Sequence, residues 1–304
     1  MNLAIVSKVC VALFLFVSGY GLTKQYRKVE KPYFKGTLKF LLRRFVNFYL
    51  PYWFCFVLVI AIGHLGGFTF HDAYPATRNT LKCVLLDVFG QMGYDSYLKP
   101  WWFNKLIIQL YFFFPFLYLL LRNQWVAILV LVLIPIMQVN ASRVPGNLFF
   151  IVEGGLPAFY LGMVSANYQL AFPADKKTKT FRQLTAILSC IGLSWILTTL
   201  DDPYIAVLIR ALLAFSIVVF ICSFESQQKP VLVFLGKYAT IMYLTHVLFI
   251  HLMPNVVYAA RYSFLVFLVF LSVCLLSAIL ISFLQKRVQY DSLRLMIVKR
   301  IEKW

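Results

Sequence analysis

The chain contains 304 residues, of which 62% are hydrophobic and 13% are charged, and its mean hydropathy is +0.80. Soluble domains carry about 25% charged and about 45–50% apolar residues, so this composition excludes a soluble globular protein. The net charge of +18 does not indicate nucleic-acid binding, because the basic residues lie in short segments between long apolar runs, as in membrane proteins. We therefore expect membrane lipid around the chain and no nucleic acid partner.

Nine apolar runs follow one another along the chain. Most are about 18–22 residues long, the length of a helix that crosses a hydrocarbon core of about 30 Å. They are residues 3–20, 48–67, 101–121, 125–139, 148–168, 183–200, 205–224, 231–253 and 262–284. The runs predict an all-α fold, a polytopic transmembrane helical bundle of about nine spans. Because no linker or internal repeat separates them, we expect a single membrane-embedded domain over residues 1–304.

The last twenty residues, 285–304, have a different pattern. Leu293, Met296, Ile297 and Ile301 recur at helical spacing among Lys and Arg residues. This spacing is typical of an amphipathic helix that lies on a membrane surface. It predicts a basic amphipathic tail on the cytoplasmic side.

The distribution of Lys and Arg predicts the orientation. If the N-terminus is outside, the segments on the inner side carry twenty of these residues and the segments on the outer side carry five. Cytoplasmic segments of membrane proteins are enriched in Lys and Arg. We therefore predict an external N-terminus, a cytoplasmic C-terminus and a multi-pass protein of the cell (inner, cytoplasmic) membrane.

Ionisable residues inside the predicted spans indicate a functional chamber. A charge in hydrocarbon costs a few kcal/mol or more and usually faces the bundle interior or a watery cavity. The residues are Lys8, Lys105, Glu153, Arg210, Lys237 and His246. In the predicted orientation all but Lys237 lie in the outer half of their spans, which predicts a polar chamber open to the outer leaflet. For Lys8 and Lys105, the alternative is a long side chain that reaches the interface.

The sequence contains no metal or nucleotide-binding signature. Its six cysteines form no CxxC pair, and no metal-ligand spacing, Walker motif or Rossmann fingerprint is present. We expect no metal and no permanently bound cofactor.

Five short blocks occur in a fixed order along the spans. An aromatic Ser-Gly-Tyr segment is followed by an Arg pair with a Pro-Tyr, a Trp-Trp-Phe segment, a Phe-Tyr-Leu-Gly segment and a Leu-Gly-Lys-Tyr…Tyr-Leu-Thr-His block. These are residues 14–20, 43–52, 101–115, 158–162 and 235–246. In this order they resemble the large family of bacterial integral-membrane acyltransferases called acyltransferase-3, over nearly the whole chain.

The resemblance implies an acyl transfer, usually of an acetyl group, to a hydroxyl of an exported or lipid-linked surface polysaccharide. It implies cytoplasmic acyl-CoA as the donor substrate. The process would be O-acetylation in cell-envelope polysaccharide biosynthesis, with the glycan and polysaccharide-assembly proteins as further partners.

The same resemblance, with the predicted depths, gives the candidate site residues. Donor-binding candidates lie near the predicted cytoplasmic face, where paired guanidinium groups suit the phosphates of coenzyme A; they are Ser18, Gly19, Arg43 and Arg44. An acyl transfer needs a base for the acceptor hydroxyl and a donor to the oxyanion, and the catalytic candidates are His246 and Glu153. Substrate-binding candidates are Trp101, Trp102, Lys105, Arg210 and Tyr243.

The chain departs from the family pattern at two points. Asn47 stands where many members have a second Arg, three residues after Arg44. The family normally begins with another helix that carries its principal histidine, and residues 1–8 do not supply it, so we expect the usual first helix to be missing from this sequence. Two alternatives to the enzyme therefore stay open: a polysaccharide export or transport partner, and a truncated inactive family member.

Overall fold

The computed structural model consists of helices joined by short connections. It describes residues 8–29, 34–74, 78–140, 155–170, 177–224, 230–259 and 262–304. Within these ranges no strand occurs, and the predicted all-α fold is confirmed.

The helices are numbered here in chain order. They are α1 (Val9–Tyr26), α2 (Phe34–Leu65), α3 (Phe70–Ala73), α4 (Thr80–Val88), α5 (Trp102–Leu120), α6 (Gln124–Val139), α7 (Leu156–Tyr168), α8 (Lys177–Thr199), α9 (Pro203–Cys222), α10 (Pro230–Leu252), α11 (Pro254–Val257), α12 (Ser263–Arg287) and α13 (Tyr290–Lys303). Two 3₁₀ turns, Gly93–Asp95 and Lys99–Trp101, lie between α4 and α5.

Seven helical segments in the described part of the chain are long and apolar enough to cross a membrane. They are α1, α2, the segment Lys99–Leu120 that contains α5, and most or all of α8, α9, α10 and α12. Helix α6 is apolar but has only 16 residues, and α7 begins at Leu156 because residues 141–154 lie outside the described ranges. The chain is a multi-pass membrane protein; the count of nine spans and the orientation stay predictions.

Helix α2 extends beyond the predicted span. The sequence predicted a span from residue 48, and the helix that contains most of it begins at Phe34 and runs for 32 residues. At 1.5 Å per residue it is longer than a hydrocarbon core of about 30 Å. The basic stretch before Asn47 continues the helix because Leu, Lys and Arg are good helix formers. Arg43 and Arg44 therefore lie on a helix and not in a loop.

The chain divides into two compact units, Met1–Thr37 with Gln109–Gln227 and Leu38–Ile108 with Gln228–Trp304. We refer to them as the first and the second unit and describe each by itself. A single domain over the whole chain stays a prediction.

The first unit is organised by close packing of α1 against α7. A side-chain carbon added at Gly19 would overlap the carbonyl oxygen of Phe159, and one added at Gly162 would overlap that of Phe16. Small residues allow membrane helices to approach this closely. At the end of α1, Arg27 donates 3.2 Å to the carbonyl oxygen of Asn167, which fixes the ends of the two helices together.

The second unit is organised around buried aromatic side chains. Its core combines residues of α2, α10 and α12 with residues of the connection between α2 and α5. The largest of them is Trp101, which is 1% exposed. Most of the candidate site residues belong to this unit, and Trp101 and Tyr243 lie in or beside its core.

Candidate functional site

Three candidate residues meet where the start of α5 packs against the second half of α10. The indole nitrogen of Trp101 donates 3.0 Å to the carbonyl oxygen of Leu244. The hydroxyl of Tyr243 donates in the opposite direction, to the carbonyl oxygen of Pro100. These two hydrogen bonds hold the segment before α5 against the helix that carries His246.

His246 is held by a hydrogen bond to its own helix. Its Nδ1 lies 2.7 Å from the carbonyl oxygen of Tyr243. Because a carbonyl oxygen can only accept, Nδ1 carries the proton in this hydrogen bond, and in the neutral ring Nε2 carries the lone pair. The half-buried ring of His246 has the rings of Tyr243 and Phe270 as neighbours, at centroid distances of 6.1 and 6.3 Å. This arrangement leaves Nε2 as the basic atom of the side chain.

The two candidate tryptophans have different surroundings. The ring of Trp101 is enclosed by Tyr52, Phe56 and Tyr97, at centroid distances of 5.5, 5.5 and 6.3 Å. Trp102 is half-buried and stacks on Tyr94 at 5.4 Å. The structure therefore gives Trp101 a packing role, and a substrate contact by either indole stays a prediction.

Lys105 lies one turn further along α5. Its side chain is half-buried, so it does not extend fully into solvent. The same turn carries Asn104, which is 0% exposed and whose two side-chain polar atoms make no hydrogen bond within the part of the chain that the structure describes. A buried amide without hydrogen bonds lowers stability. The Asn104 amide is therefore a polar group at this turn of α5 that could bind a further partner.

Asp87, which sequence reasoning missed, lies at the centre of a hydrogen-bonded cluster in the second unit. Its Oδ2 accepts from the backbone N–H of Tyr97 at 2.6 Å and from the hydroxyl of Tyr74 at 2.9 Å. Its own carbonyl oxygen accepts from the hydroxyl of Tyr52 at 2.5 Å. The residue is 1% exposed, and its Oδ1 has no hydrogen-bond partner among the described residues.

The electrostatics of Asp87 follow from this burial. Burial raises the pKa of the Asp87 carboxyl to about 6, and the hydrogen bonds from Tyr97 and Tyr74 oppose the rise. Buried carboxyl groups with shifted pKa values concentrate at functional sites. The signal in the sequence was a single acidic residue within the apolar stretch 81–89, outside any predicted span.

The Arg pair lies near the N-terminal end of α2. Arg43 forms an ion pair of 2.9 Å with Glu302 of α13, and Lys39 donates 3.0 Å to the carbonyl oxygen of Glu302. The guanidinium of Arg44 lies over the ring of Phe40, 5.4 Å from its centroid. This end of the helix therefore binds one carboxylate through Arg43 and one main-chain carbonyl oxygen through Lys39.

The remaining candidates lie elsewhere. Ser18 is half-buried on α1 and Gly19 is buried against α7, both in the first unit. Arg210 of α9, also in the first unit, has a buried Nε that meets no hydrogen-bond partner in the described ranges. Glu153 lies outside the described residues. Their proposed roles stay predictions.

One comparison with known proteins gives a match that covers most of the chain. A family model described as an acyltransferase domain, that of the acyltransferase-3 family, matches residues 1–284. No curated protein and no solved structure matches the chain significantly. The matched region contains all five sequence blocks, while residues 285–304 lie beyond it.

Proposed function

Because the chain belongs to the acyltransferase-3 family and is a multi-pass membrane acyltransferase, we propose a specific reaction for it. The protein transfers an acyl group, usually acetyl, from cytoplasmic acyl-CoA to a hydroxyl of an exported or lipid-linked surface polysaccharide. The proposed location is the cytoplasmic membrane of a bacterial cell.

The observation that carries the proposal is the fixed ring of His246. Since its Nδ1 donates to the carbonyl oxygen of Tyr243, its Nε2 can take the proton of the acceptor hydroxyl. The hydroxyl oxygen then attacks the thioester carbon and forms a tetrahedral intermediate. Collapse of the intermediate expels the coenzyme A thiolate, which receives the proton back from His246. General-base catalysis of this kind contributes about 10²–10⁴ in rate.

The oxyanion of the intermediate needs a donor or a cation beside it. Lys105 is the proposed cation, since it is half-buried in the same unit as His246 and one turn from Trp101. Arg210 and Glu153 keep their proposed roles in substrate binding and proton transfer.

The donor is proposed to bind with its phosphates at the basic end of α2. The ion pair between Arg43 and Glu302 supports this role, because a side chain that pairs with a carboxylate also suits a phosphate. Arg44, Ser18 and Gly19 are the other proposed donor contacts. The flexible pantetheine arm would enter the bundle from this side.

The proposal is tested with purified protein in lipid nanodiscs, radiolabelled acetyl-CoA and glycan from a strain that lacks the gene. We expect His246→Ala to lower labelling of the glycan about 100-fold or more, and Arg44→Ala to abolish it, each with normal membrane abundance. The matched control is His251→Ala, because His251 lies on the same helix, is exposed and stacks on Phe68. Wild-type labelling by His246→Ala would overturn the role of His246, and unlabelled glycan with the wild-type protein would favour the transport alternative.

A further inference from the structure

Asp87 is connected to His246 by hydrogen bonds and by the chain segment 97–101, which lies between them. We propose that Asp87 is a positioning residue for the acyl transfer, which fixes residues 97–101 and through them the segment of α10 that orients His246. The inference rests on the proposed function of His246 as the base.

The first step of the route is the attachment of residues 97–101 to Asp87. The carboxylate accepts the backbone N–H of Tyr97, so it holds the main chain itself and not only a side chain. The Tyr97 ring is 2% exposed, and its hydroxyl donates 2.7 Å to the carbonyl oxygen of Phe68. Tyr97 is thus fixed at both ends.

The second step is the short connection from Tyr97 to Trp101. It contains a 3₁₀ turn, Lys99–Trp101, closed by a hydrogen bond of 2.9 Å from the N–H of Trp101 to the carbonyl oxygen of Leu98. Pro100 fixes the backbone φ angle within this turn. A displacement at Tyr97 is therefore transmitted to Pro100 and Trp101 and not absorbed by a flexible loop.

The third step joins this turn to the base. Pro100 accepts from the Tyr243 hydroxyl, and Trp101 donates to the carbonyl oxygen of Leu244. Tyr243 also provides the carbonyl oxygen that holds Nδ1 of His246. Tyr243 therefore contacts the 3₁₀ turn through its side-chain hydroxyl and orients His246 through its backbone carbonyl oxygen.

A carboxylate suits the start of this route better than an amide. Hydrogen bonds to an ionised acceptor are roughly twice as strong as neutral ones. In Asp87→Asn, both donors would meet a neutral oxygen, and the amide nitrogen would replace an Oδ1 that makes no hydrogen bond to any described residue. The variant keeps the shape of the residue and weakens its hold on Tyr97.

The kinetic expectation is a loss in turnover and not in substrate binding. A misplacement of about 1 Å at a reacting group can cost about 100-fold in rate. For Asp87→Asn we expect kcat to fall about 10-fold, with the KM for acetyl-CoA and for glycan within about twofold of wild type. Tyr74→Phe, which removes only one of the two donors to Oδ2, is expected to lower kcat about threefold. It serves as the second variant if Asp87→Asn accumulates poorly.

A double-mutant cycle separates a shared route from general destabilisation. Tyr243→Phe removes the hydroxyl that donates to Pro100. If both residues act through this one connection, Asp87→Asn combined with Tyr243→Phe loses no more kcat than the worse single variant. The matched control is Asp95→Asn, because Asp95 lies in the same connection and pairs with Arg78 at 2.6 Å, with both side chains about half exposed. Its kcat should equal that of wild type.

Each outcome decides the proposal. Multiplied losses in the double variant, a change confined to KM, or an unchanged kcat in Asp87→Asn and Tyr74→Phe would each overturn it. If His246→Ala stays fully active, the proposed function of His246 fails first. If His246→Ala is inactive while Asp87→Asn is normal, only the positioning role of Asp87 fails.

Discussion

Gly19 and Phe159 are in direct main-chain contact across two helices of the first unit. The space beside Gly19 is filled by the carbonyl oxygen of Phe159, so that a side-chain carbon would overlap it. Gly162 stands in the same relation to Phe16. Membrane helices associate through packing at small residues of this kind. The contact gives a structural reason for the glycines in two of the five sequence blocks.

Substitution of Gly19 by alanine should destabilise the protein. Overpacking of a tight contact costs about 1–3 kcal/mol, and here the obstructing atom is backbone, which cannot rotate away. We expect Gly19→Ala to lower the Tm of purified protein, followed by tryptophan fluorescence during heating. Gly21→Ala is the matched control, since no described residue lies within 4 Å of its added carbon, and alanine is favoured over glycine in a helix by about 1 kcal/mol. Equal melting temperatures for the two variants would show that the helices do not pack through Gly19.

The sequence predicted the helices well because hydrophobic length determines a span almost alone. The runs at residues 205–224 and 231–253 end within two residues of α9 and α10. Helix α2 begins at Phe34, fourteen residues before the predicted span, and hydropathy did not show this extension because a basic segment can be a loop or an exposed helix with equal hydropathy. Only its local helix propensity distinguished the two.

The site was less predictable because its partners are distant in sequence. His246 was identified from its position inside a span and in the last of the five sequence blocks, but the contact of Pro100 with Tyr243 depends on tertiary packing. Asp87 gave only a weak signal, since one acidic residue in an apolar stretch is common in connecting segments. Its environment comes from Tyr74 and Tyr97, which no local pattern links to it.

The ion pair between Arg43 and Glu302 should be dispensable for folding and should compete weakly with the donor. The two side chains are 35% and 51% exposed, and exposed pairs contribute about 0–1 kcal/mol. We expect Glu302→Gln to leave the Tm unchanged and to lower the KM for acetyl-CoA about twofold, because Arg43 is then available to the phosphates. Asp291→Asn on the same helix, whose partner is Arg294 at 3.7 Å, should change neither value. A raised KM in Glu302→Gln would mean that Glu302 assists donor binding.

The stability of the protein should depend on pH through Asp87. The pKa of this carboxyl is raised by burial from 3.8 to about 6 in the folded protein. Below about pH 4 the carboxyl is protonated in both the folded and the unfolded state, and its contribution to the free energy of unfolding is fully present. Between about pH 4 and 6 the unfolded chain loses this proton before the folded protein does. The free energy of unfolding therefore falls by about 3 kcal/mol as the pH rises through the folded pKa.

Asp87→Asn should remove this pH dependence. The neighbouring groups Tyr74 and Tyr97 do not change charge in this window, since burial raises the pKa of each, that of Tyr97 to about 12. We expect the Tm of wild type minus that of Asp87→Asn to decrease from pH 4 to pH 7 and then to level off. A constant difference between the two melting temperatures would show that Asp87 has an ordinary pKa in the folded protein.

The orientation is tested by the accessibility of single cysteines. Lys28 and Asp201 are both exposed residues of the first unit, close to opposite ends of its predicted spans. In a variant that lacks the six native cysteines, Asp201→Cys should react with a membrane-impermeant thiol reagent on intact cells, and Lys28→Cys should react only after the cells are permeabilised. The physical reason is the excess of Lys and Arg in the segments on the side of Lys28, which are retained in the cytoplasm. If only Lys28→Cys reacted on intact cells, the orientation of the bundle in the membrane would be opposite to the predicted one. His246 would then lie in the cytoplasmic half of α10, and the acceptor hydroxyl would have to meet the donor before export of the glycan.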